Sequence, residues 1–535
     1  DQDRIHKAFR ILDELGLILM PFAGWGRDDD GYYGRYFSGI QIIDFTADDL
    51  TLRGVAPHHG QARRAFIHRD HLFAMSDERV EAFDITDHDN PAVTSSLTMS
   101  RVVYRVAPLG DDHIAELVSD WWTGEARLDI LPFDDPDGME PVGSLDLTGL
   151  RPTDSRSYYY WSYGFSYYDS RLFSHGDHVY LLWNEQTCGY WWDEGDCEWE
   201  EVTGVAVFDV SDPTDPTLVG QERMNIHFPF QRGWWWSGMV EAGETIAQVG
   251  TTLVLRPRPN RYYWYYDESE ETAPTLEVVD LSDPESPRHA STLTLPGEHE
   301  MATLMVSDGL VLTSHREPVE GDEPGRVRFY LDRIDVSDPE DPRLLPEINI
   351  PGSPVWHDPV ADRLITVDYQ REVWRVAEYR DCGAAYDFVD WEEVGDGYEY
   401  ICVRIDRTLN LLEIDDDVAT LRDRLDFGDL RLRDVRVSGE RIFVGTQPDR
   451  YYWWDDEDVE VDPRPQLVTV TGIREGNLRA RSAVRMSSPY TWLHAARGNR
   501  AIVLSDTPPA VDLYDATDPE SPTVEEQTLL TGYGY

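Results

Sequence analysis

The chain almost lacks lysine. Lys7 is the only one, and lysine plus arginine reach 47 against 102 acidic residues, a formal net charge of −55 at pH 7. A field of that sign repels phosphate backbones and anionic bilayer surfaces and draws in cations and basic partners, which argues against nucleic acid as a ligand. The same acidity also suits a solvated surface in salty water. Long apolar runs are absent: none approaches the roughly 20 residues that a membrane-spanning helix needs. Catalytic signatures are missing as well. There is no Gly-x-Ser-x-Gly elbow, phosphate-binding glycine loop, His-Glu-x-x-His pair or dinucleotide fingerprint. The histidines, among them His58, His59, His68, His71, His299, His315 and His357, are scattered and read as turn or core residues. Carboxylates are so frequent that their spacing carries no signal of acid–base chemistry.

Cysteine is scarce too, with four in 535 residues. Cys188 and Cys197 bracket one loop-like stretch, and Cys382 and Cys402 bracket another. Four cysteines allow three pairings. Two local pairs predict two loop-closing disulfides and an oxidising compartment. Zinc is the rival, but the spacings Cys-x8-Cys and Cys-x19-Cys match no common ligand pattern. The polar start at Asp1 fits a mature, extracellular or cell-surface form whose signal segment has been removed.

What is present suffices for a packed core: 41% hydrophobic and 12% aromatic residues. One phrase recurs. It begins at Val80 (VEAFDITDHDNPAV), Val205 (VAVFDVSDPTDPTLV), Leu276 (LEVVDLSDPESPRHA), Asp332 (DRIDVSDPEDPRLL) and Val511 (VDLYDATDPESPTV). Each copy reads as a strand, a Ser/Thr-Asp-Pro-x-x-Pro turn with His88 replacing the first proline in one copy, and a second strand. Asp and Ser/Thr bond nearby backbone groups, and proline presets φ and cannot extend a ladder. A more apolar hairpin precedes each phrase, as at 302–314 and 494–505. The two hairpins make a four-strand unit, a to d. Weaker copies elsewhere bring the count to as many as nine. Such units repeated radially predict an all-β fold, a single β-propeller over 1–535 with about eight four-stranded blades, seven to nine being the range. Residues 1–38 are expected to form an irregular first blade, and 371–408 a disulfide-containing loop insertion.

The recurring phrase resembles the LVIVD-type repeats of secreted bacterial and archaeal β-propeller proteins. The resemblance covers five good copies and several eroded ones. It implies an extracellular or surface-associated propeller and brings no shared catalytic residues.

Aromatic, acidic inserts lie outside that repeat. The chain has 18 Trp and 28 Tyr, many of them between strands. Between b and c lie Tyr190, Trp191 and Trp192, then Tyr262, Tyr263, Trp264, Tyr265 and Tyr266, then Tyr451, Tyr452, Trp453 and Trp454. Between d and the next a lie Tyr158, Tyr159, Tyr160 and Trp161, then Trp234, Trp235 and Trp236. In an antiparallel meander the b–c and d–a connections share one end, so every insert is expected on one face. There the rings either fold over each other as a lid or act as interface anchors. Asp28–Asp30 and Asp455, Asp456, Glu457 and Asp458 offer the clustered oxygens that Ca2+ takes, although no run has EF-hand spacing. The reading is a protein–protein binding or assembly module acting through these residues. The alternatives are a carbohydrate-binding surface protein, with rings stacking on sugars, and a propeller hydrolase or metal-dependent enzyme at the central channel.

Overall fold

Five times along the chain the same hydrogen bonds close the same turn. The amides of Thr86, Ser211, Ser282, Ser337 and Thr517 donate to the carboxylates of Asp84, Asp209, Asp280, Asp335 and Asp515, at 2.8, 2.8, 2.9, 2.9 and 2.8 Å. Three residues further on, Asp87, Asp212, Asp283, Asp338 and Asp518 each accept from the amide two positions ahead. The sequence phrase is therefore a double Asx turn, in which side-chain acceptors take over from the ladder where the strand must stop. These bonds favour the ionised acid. Hydrogen bonds from Thr86 hold Asp84 below the ordinary carboxylate range, and Ser211, Ser337 and Thr517 do the same for Asp209, Asp335 and Asp515.

The computed structural model describes residues 10–27, 33–69, 71–76, 78–119, 126–135, 140–150, 170–186, 201–226, 245–256, 275–297, 303–319, 326–382, 388–394, 397–427, 432–446, 464–488, 491–506 and 509–529. They form nine antiparallel sheets, seven of four strands and two of five. The sheets span 10–57, 64–98, 103–146, 170–224, 246–294, 305–350, 353–426, 432–485 and 491–529. Each runs a-b-c-d in sequence order, the repeated blade of a β-propeller. Nine is the upper end of the expected range. The first sheet has all four strands, Arg10–Leu12, Leu17–Arg27, Tyr33–Phe45 and Leu50–Pro57, with a 3-10 turn at Asp13–Leu15 joining the first two. The chain divides into two compact units: 1–230 with 283–288, and 231–282 with 289–535.

Strand alternation builds the cores. In the first unit Leu17, Leu19, Ile40 and Ile42 of the first sheet meet Ala65, Leu72, Ala74 and Phe83 of the second. The third and fourth sheets enclose Leu117, Leu128 and Ile130 with Val179, Leu181, Trp183 and Phe208. In the second unit Val254 and Leu276 pack on Val311 and Ile334, and Ile365, Leu409 and Leu411 pack on Val444, Val468 and Val470. Each such large side chain, fully withdrawn from water, contributes about 1.5–3 kcal/mol. The recurring turn adds a second join between sheets. The backbone of the fourth sheet's turn lies on Gly143 of the third sheet's last strand, Gly143–Asp146. A Cβ on Gly143 would come within 2.1 Å of the Pro213 carbonyl oxygen, and one on Gly54 within 2.3 Å of the Asp89 carbonyl oxygen. No side chain fits where the turn rests. In the second unit Ser291 donates to the Pro339 carbonyl at 2.6 Å, and Arg481 pairs with Glu520 at 3.0 Å, again joining a last strand to the next sheet's turn.

The seventh sheet carries an elaboration. Strand b, Arg363–Val376, pairs with strand c, Gly397–Asp415, from Arg363↔Glu413 to Val376↔Tyr400. Strand d, Val418–Asp426, covers only Thr408 to Asp415 of that ribbon. Beyond it a further strand, Phe388–Val394, pairs with Gly397–Val403. The segment 371–408 thus continues the sheet as a projecting β-ribbon. It holds the Cys382–Cys402 disulfide. Trp374 and Val376 pack on that disulfide. The other expected pair, Cys188 and Cys197, lies outside the described residues.

Candidate functional site at the insertion ends of the sheets

The aromatic segments attach at one end of their sheets. At that end Gln186 pairs with Glu201 in the fourth sheet, Leu255 with Glu277 in the fifth and Gly445 with Leu467 in the eighth. Between these pairs run the segments with Tyr190–Trp192, Tyr262–Tyr266 and Tyr451–Trp454. The segments with Tyr158–Trp161 and Trp234–Trp236 join the d strands of the third and fourth sheets to the next a strands, and so leave from the same end of each sheet. All of these rings lie outside the described residues, as do the acidic clusters Asp28–Asp30 and Asp455–Asp458.

One insert at this end is described. On the ribbon of the seventh sheet, Trp391 and Tyr398 are 59% and 54% exposed and stand edge to face with ring centroids 5.2 Å apart. Strand alternation puts Trp391, Tyr398 and Tyr400 on the same face as Trp374 and the disulfide. The disulfide and Trp374 give that face a packed base, and each of the two outer rings keeps more than half of its surface exposed. Val373, on the opposite face, is 48% exposed.

Beneath the insertion ends lies charged chemistry that spacing arguments miss. Glu81, Asp129, Glu277, Asp332 and Asp512 share one position on strand c, three residues before the residue that opens the turn (Asp84, Pro132, Asp280, Asp335 and Asp515). Asp129, Asp332 and Asp512 are almost completely buried, and Glu81 is buried as well. Three of the five meet a group reaching in from the preceding connection or sheet. His58, just past the first sheet's last strand, binds Glu81 through Nδ1 at 2.7 Å, and the His59 amide donates to the same oxygen at 3.1 Å. Arg101, in the link from the second sheet to the third, pairs with both Asp129 and Glu116 at 3.2 Å. In the second unit, buried Arg256, at the end of the fifth sheet's strand b, donates to Thr313 Oγ1 directly across the strand from Asp332. Asp332 accepts from His315 Nδ1 at 2.8 Å, and His315 stacks on Tyr330 at 5.0 Å. The fixed offset from the turn aspartate, on a strand that otherwise reads apolar, was the available sequence signal.

Burial pushes Glu81 up, but bonds from His58 and His59 and the His58 charge outweigh it, so its carboxyl sits below the usual value of 4.5. Burial lifts Asp332 above the ordinary 3.8, and its bond and charge contact with His315 only partly offset this. Burial depresses His315, yet Asp332, Glu347 and Glu317 together raise it above 6.5. Burial lowers His357, whose Nδ1 lies 2.7 Å from Ser307 Oγ. No group of three or more His, Cys, Asp or Glu among the described residues is placed to hold a metal ion. No helix of the described residues is long and apolar enough to cross a membrane.

No family model matches the chain, and no curated protein matches it. Among solved structures, a prolyl endopeptidase is similar at 13% identity and a TM-score of 0.38, over 79% of this chain and 48% of that one. The chain therefore spans about half the length of that enzyme. Saccharomyces cerevisiae Sqt1 is similar at 7% identity and a TM-score of 0.35, over 80% and 86% of the two chains. A hypothetical selenium-binding protein from Sulfolobus tokodaii is similar at 12% identity and a TM-score of 0.33, over 62% and 71%. The fold class rests on the nine sheets and their shared turn, and these likenesses add nothing about function.

Proposed function

We propose that this protein is an extracellular or cell-surface β-propeller, one domain over its whole length, that binds a protein partner through the insertion ends of its blades. The observation that carries the reading is the seventh sheet's ribbon: a disulfide-based projection whose outer rings, Trp391 and Tyr398, face solvent. Exposed Trp and Tyr on a rigid support are the usual anchors of protein interfaces, because they bury much area for little loss of side-chain freedom. The sequence supports the same use of Tyr158–Trp161, Tyr190–Trp192, Trp234–Trp236, Tyr262–Tyr266 and Tyr451–Trp454, which attach at the same end of their sheets. The disulfide and the resemblance to LVIVD-type repeats support an oxidising, extracellular setting.

The test is to isolate the full chain without reduction and identify what accompanies it, then repeat the isolation with Tyr262, Tyr263, Trp264, Tyr265 and Tyr266 changed to serine. A protein partner lost from the variant at unchanged melting temperature is expected. A partner retained at full strength, or a glycan as the only companion, contradicts the proposal.

A further inference from the structure

We infer that His315 is a pH-sensitive latch on the outer edge of the sixth sheet: the imidazolium holds Glu347 and the strand piece behind it, and loss of one proton releases them. The fourth strand of this sheet is broken. Its pieces, Arg343–Leu344 and Ile348–Ile350, pair with Ile334–Asp335 and with Phe329–Leu331 of strand c, Val327–Asp335. Pro346, which has no amide to give a ladder, and Glu347 lie in the break. In other sheets strand d gives the strand-c acid a hydroxyl or amide donor: Ser144 to Asp129 at 2.6 Å, Thr292 to Glu277 at 2.6 Å and Gln527 to Asp512 at 2.8 Å. The sixth sheet presents Glu347, a second acid, and sets His315 of strand b between the two. Nδ1 lies 2.8 Å from Asp332, and Nε2 lies 3.7 Å from Glu347.

An imidazole with a carboxylate at each nitrogen has one form that serves both. The cation donates from both nitrogens, and the neutral ring donates from one. Asp332 is fully buried and keeps the N–H, because an ionised acid left alone there is costly. Glu347, with 47% of its side chain exposed, has water to turn to. Losing the proton therefore frees Glu347 and leaves Asp332 held. Asp332 and Tyr330 face the ring from strand c, Glu347 from strand d and Glu317 from its own strand, and Arg256 of the fifth sheet acts on Asp332. Arg316, next along the strand, donates to Tyr369 of the seventh sheet at 2.7 Å. A Cβ on Gly297 would come within 2.6 Å of His315 Cδ2, so the connection into the sheet packs on the ring. Burial depresses His315, yet the three acids raise it above 6.5, so the latch is complete below 6.5 and is lost as pH rises through the raised value. Before the break, Arg333 donates to the Pro346 carbonyl at 2.9 Å and pairs with Asp417, and its charge does not change over this range, so Arg343–Pro346 stays in place. Ile348 and Ile350 are the part that loosens. They pack with Phe329 and Leu331 and with Leu364 and Leu412 of the seventh sheet, so opening here slackens the join between the sixth sheet and the seventh.

The experiment reads backbone hydrogen exchange in the full-length, disulfide-intact protein at about pH 6 and about pH 9, on either side of the histidine range, with intrinsic exchange rates divided out. The segment 347–350 is expected to open about two- to fivefold more at the higher pH, the worth of one partly exposed ion pair, with the ninth sheet's last strand, Thr523–Leu529, unchanged. Glu347→Gln keeps a polar side chain at a half-exposed position. It is expected to abolish the step and to lower the pH at which His315 titrates by NMR. Glu317→Gln is expected to keep the step. Absence of a step in the wild type overturns the inference. An equal step in Glu347→Gln or in the ninth sheet also overturns it, since general alkaline loosening would then explain the change. Loss of the step in Glu317→Gln overturns the assignment to Glu347. Partner isolation still judges the binding proposal separately.

Discussion

Neighbouring sheets are joined at both ends, and the two joins use different chemistry. At the turn end the double Asx turn of one sheet rests its backbone on Gly54, Gly143 or Ser291 of the preceding one, with exposed or half-exposed ion pairs such as Arg53–Asp89 and Arg481–Glu520 alongside. At the insertion end the join is a buried charge: His58 on Glu81, and Arg101 between Asp129 and Glu116. The turn that makes the first join repeats with the same internal bonds wherever the phrase occurs. The second changes its donor from sheet to sheet and keeps only the position of the acid. A solvent-side turn needs one geometry. A buried charge needs only a partner, and whichever residue the connection supplies will serve.

The contrast breaks most sharply at the sixth sheet. Asp332→Ala is expected to cost about 3–5 kcal/mol, read as a large fall in melting temperature, because it strips a buried carboxylate from His315 and from the Arg256 side of the sheet. A fall of less than about 1 kcal/mol would mean that the charged join contributes little beyond packing. At the turn end, Gly143→Val drives a side chain into the Pro213 carbonyl and the Pro216 ring and should cost about 1–3 kcal/mol. Wild-type stability for Gly143→Val would show that the turn does not press on that strand.

Titration separates two buried His–carboxylate pairs that look alike, one between sheets at His58–Glu81 and one within the sixth sheet at His315–Asp332. Glu81 titrates below its unfolded value, so its contribution is complete above pH 4.5 and is lost as pH falls toward the lowered value. His315 titrates above its unfolded value, so its contribution is complete below pH 6.5 and is lost as pH rises through the raised value. Glu81→Gln should therefore flatten the acid side of the stability–pH curve, and His315→Gln the alkaline side. The same flattening by both variants, on the same side, would refute the distinction. The turn aspartates act in the direction of Glu81, so acid unfolding remains after Glu81→Gln. The smallest stability effect is expected on the ribbon: Trp391→Ala with Tyr398→Ala should cost about 0.5–1.5 kcal/mol, the worth of one edge-to-face ring pair, since more than half of each ring is exposed.

Much of the architecture was legible because turn chemistry is local. Asp, Ser/Thr and Pro at fixed offsets specify a turn whatever surrounds it, and the five phrases all fold as that spelling predicts. The ribbon of the seventh sheet was harder. Its alternation in EVWRV (372–376) and YEYICVRI (398–405) is that of strands, but two cysteines and a run of carboxylates read as loop. The buried acids were missed for a different reason. Glu81 and Asp332 look like any other carboxylate in so acidic a chain, and only their offset from the turn marks them. What holds Glu81, His58, comes from the end of another sheet, and what holds Asp332, His315, comes from the neighbouring strand 17 residues away; both are set by packing, which no local pattern encodes.

On the proposed function, the insertion ends bind and the turn ends only hold the sheets together. Hydroxyl-radical footprinting of the full chain, alone and with the protein that accompanies it on non-reducing isolation, tests this directly, because Tyr and Trp are the side chains it reads best. Protection is expected at Trp391 and Tyr398 and at the rings between 155 and 170, 227 and 238, 260 and 274, and 449 and 463, with the Asx-turn hairpins unchanged. Rings equally reactive in both states, with protection at the turns instead, would contradict it.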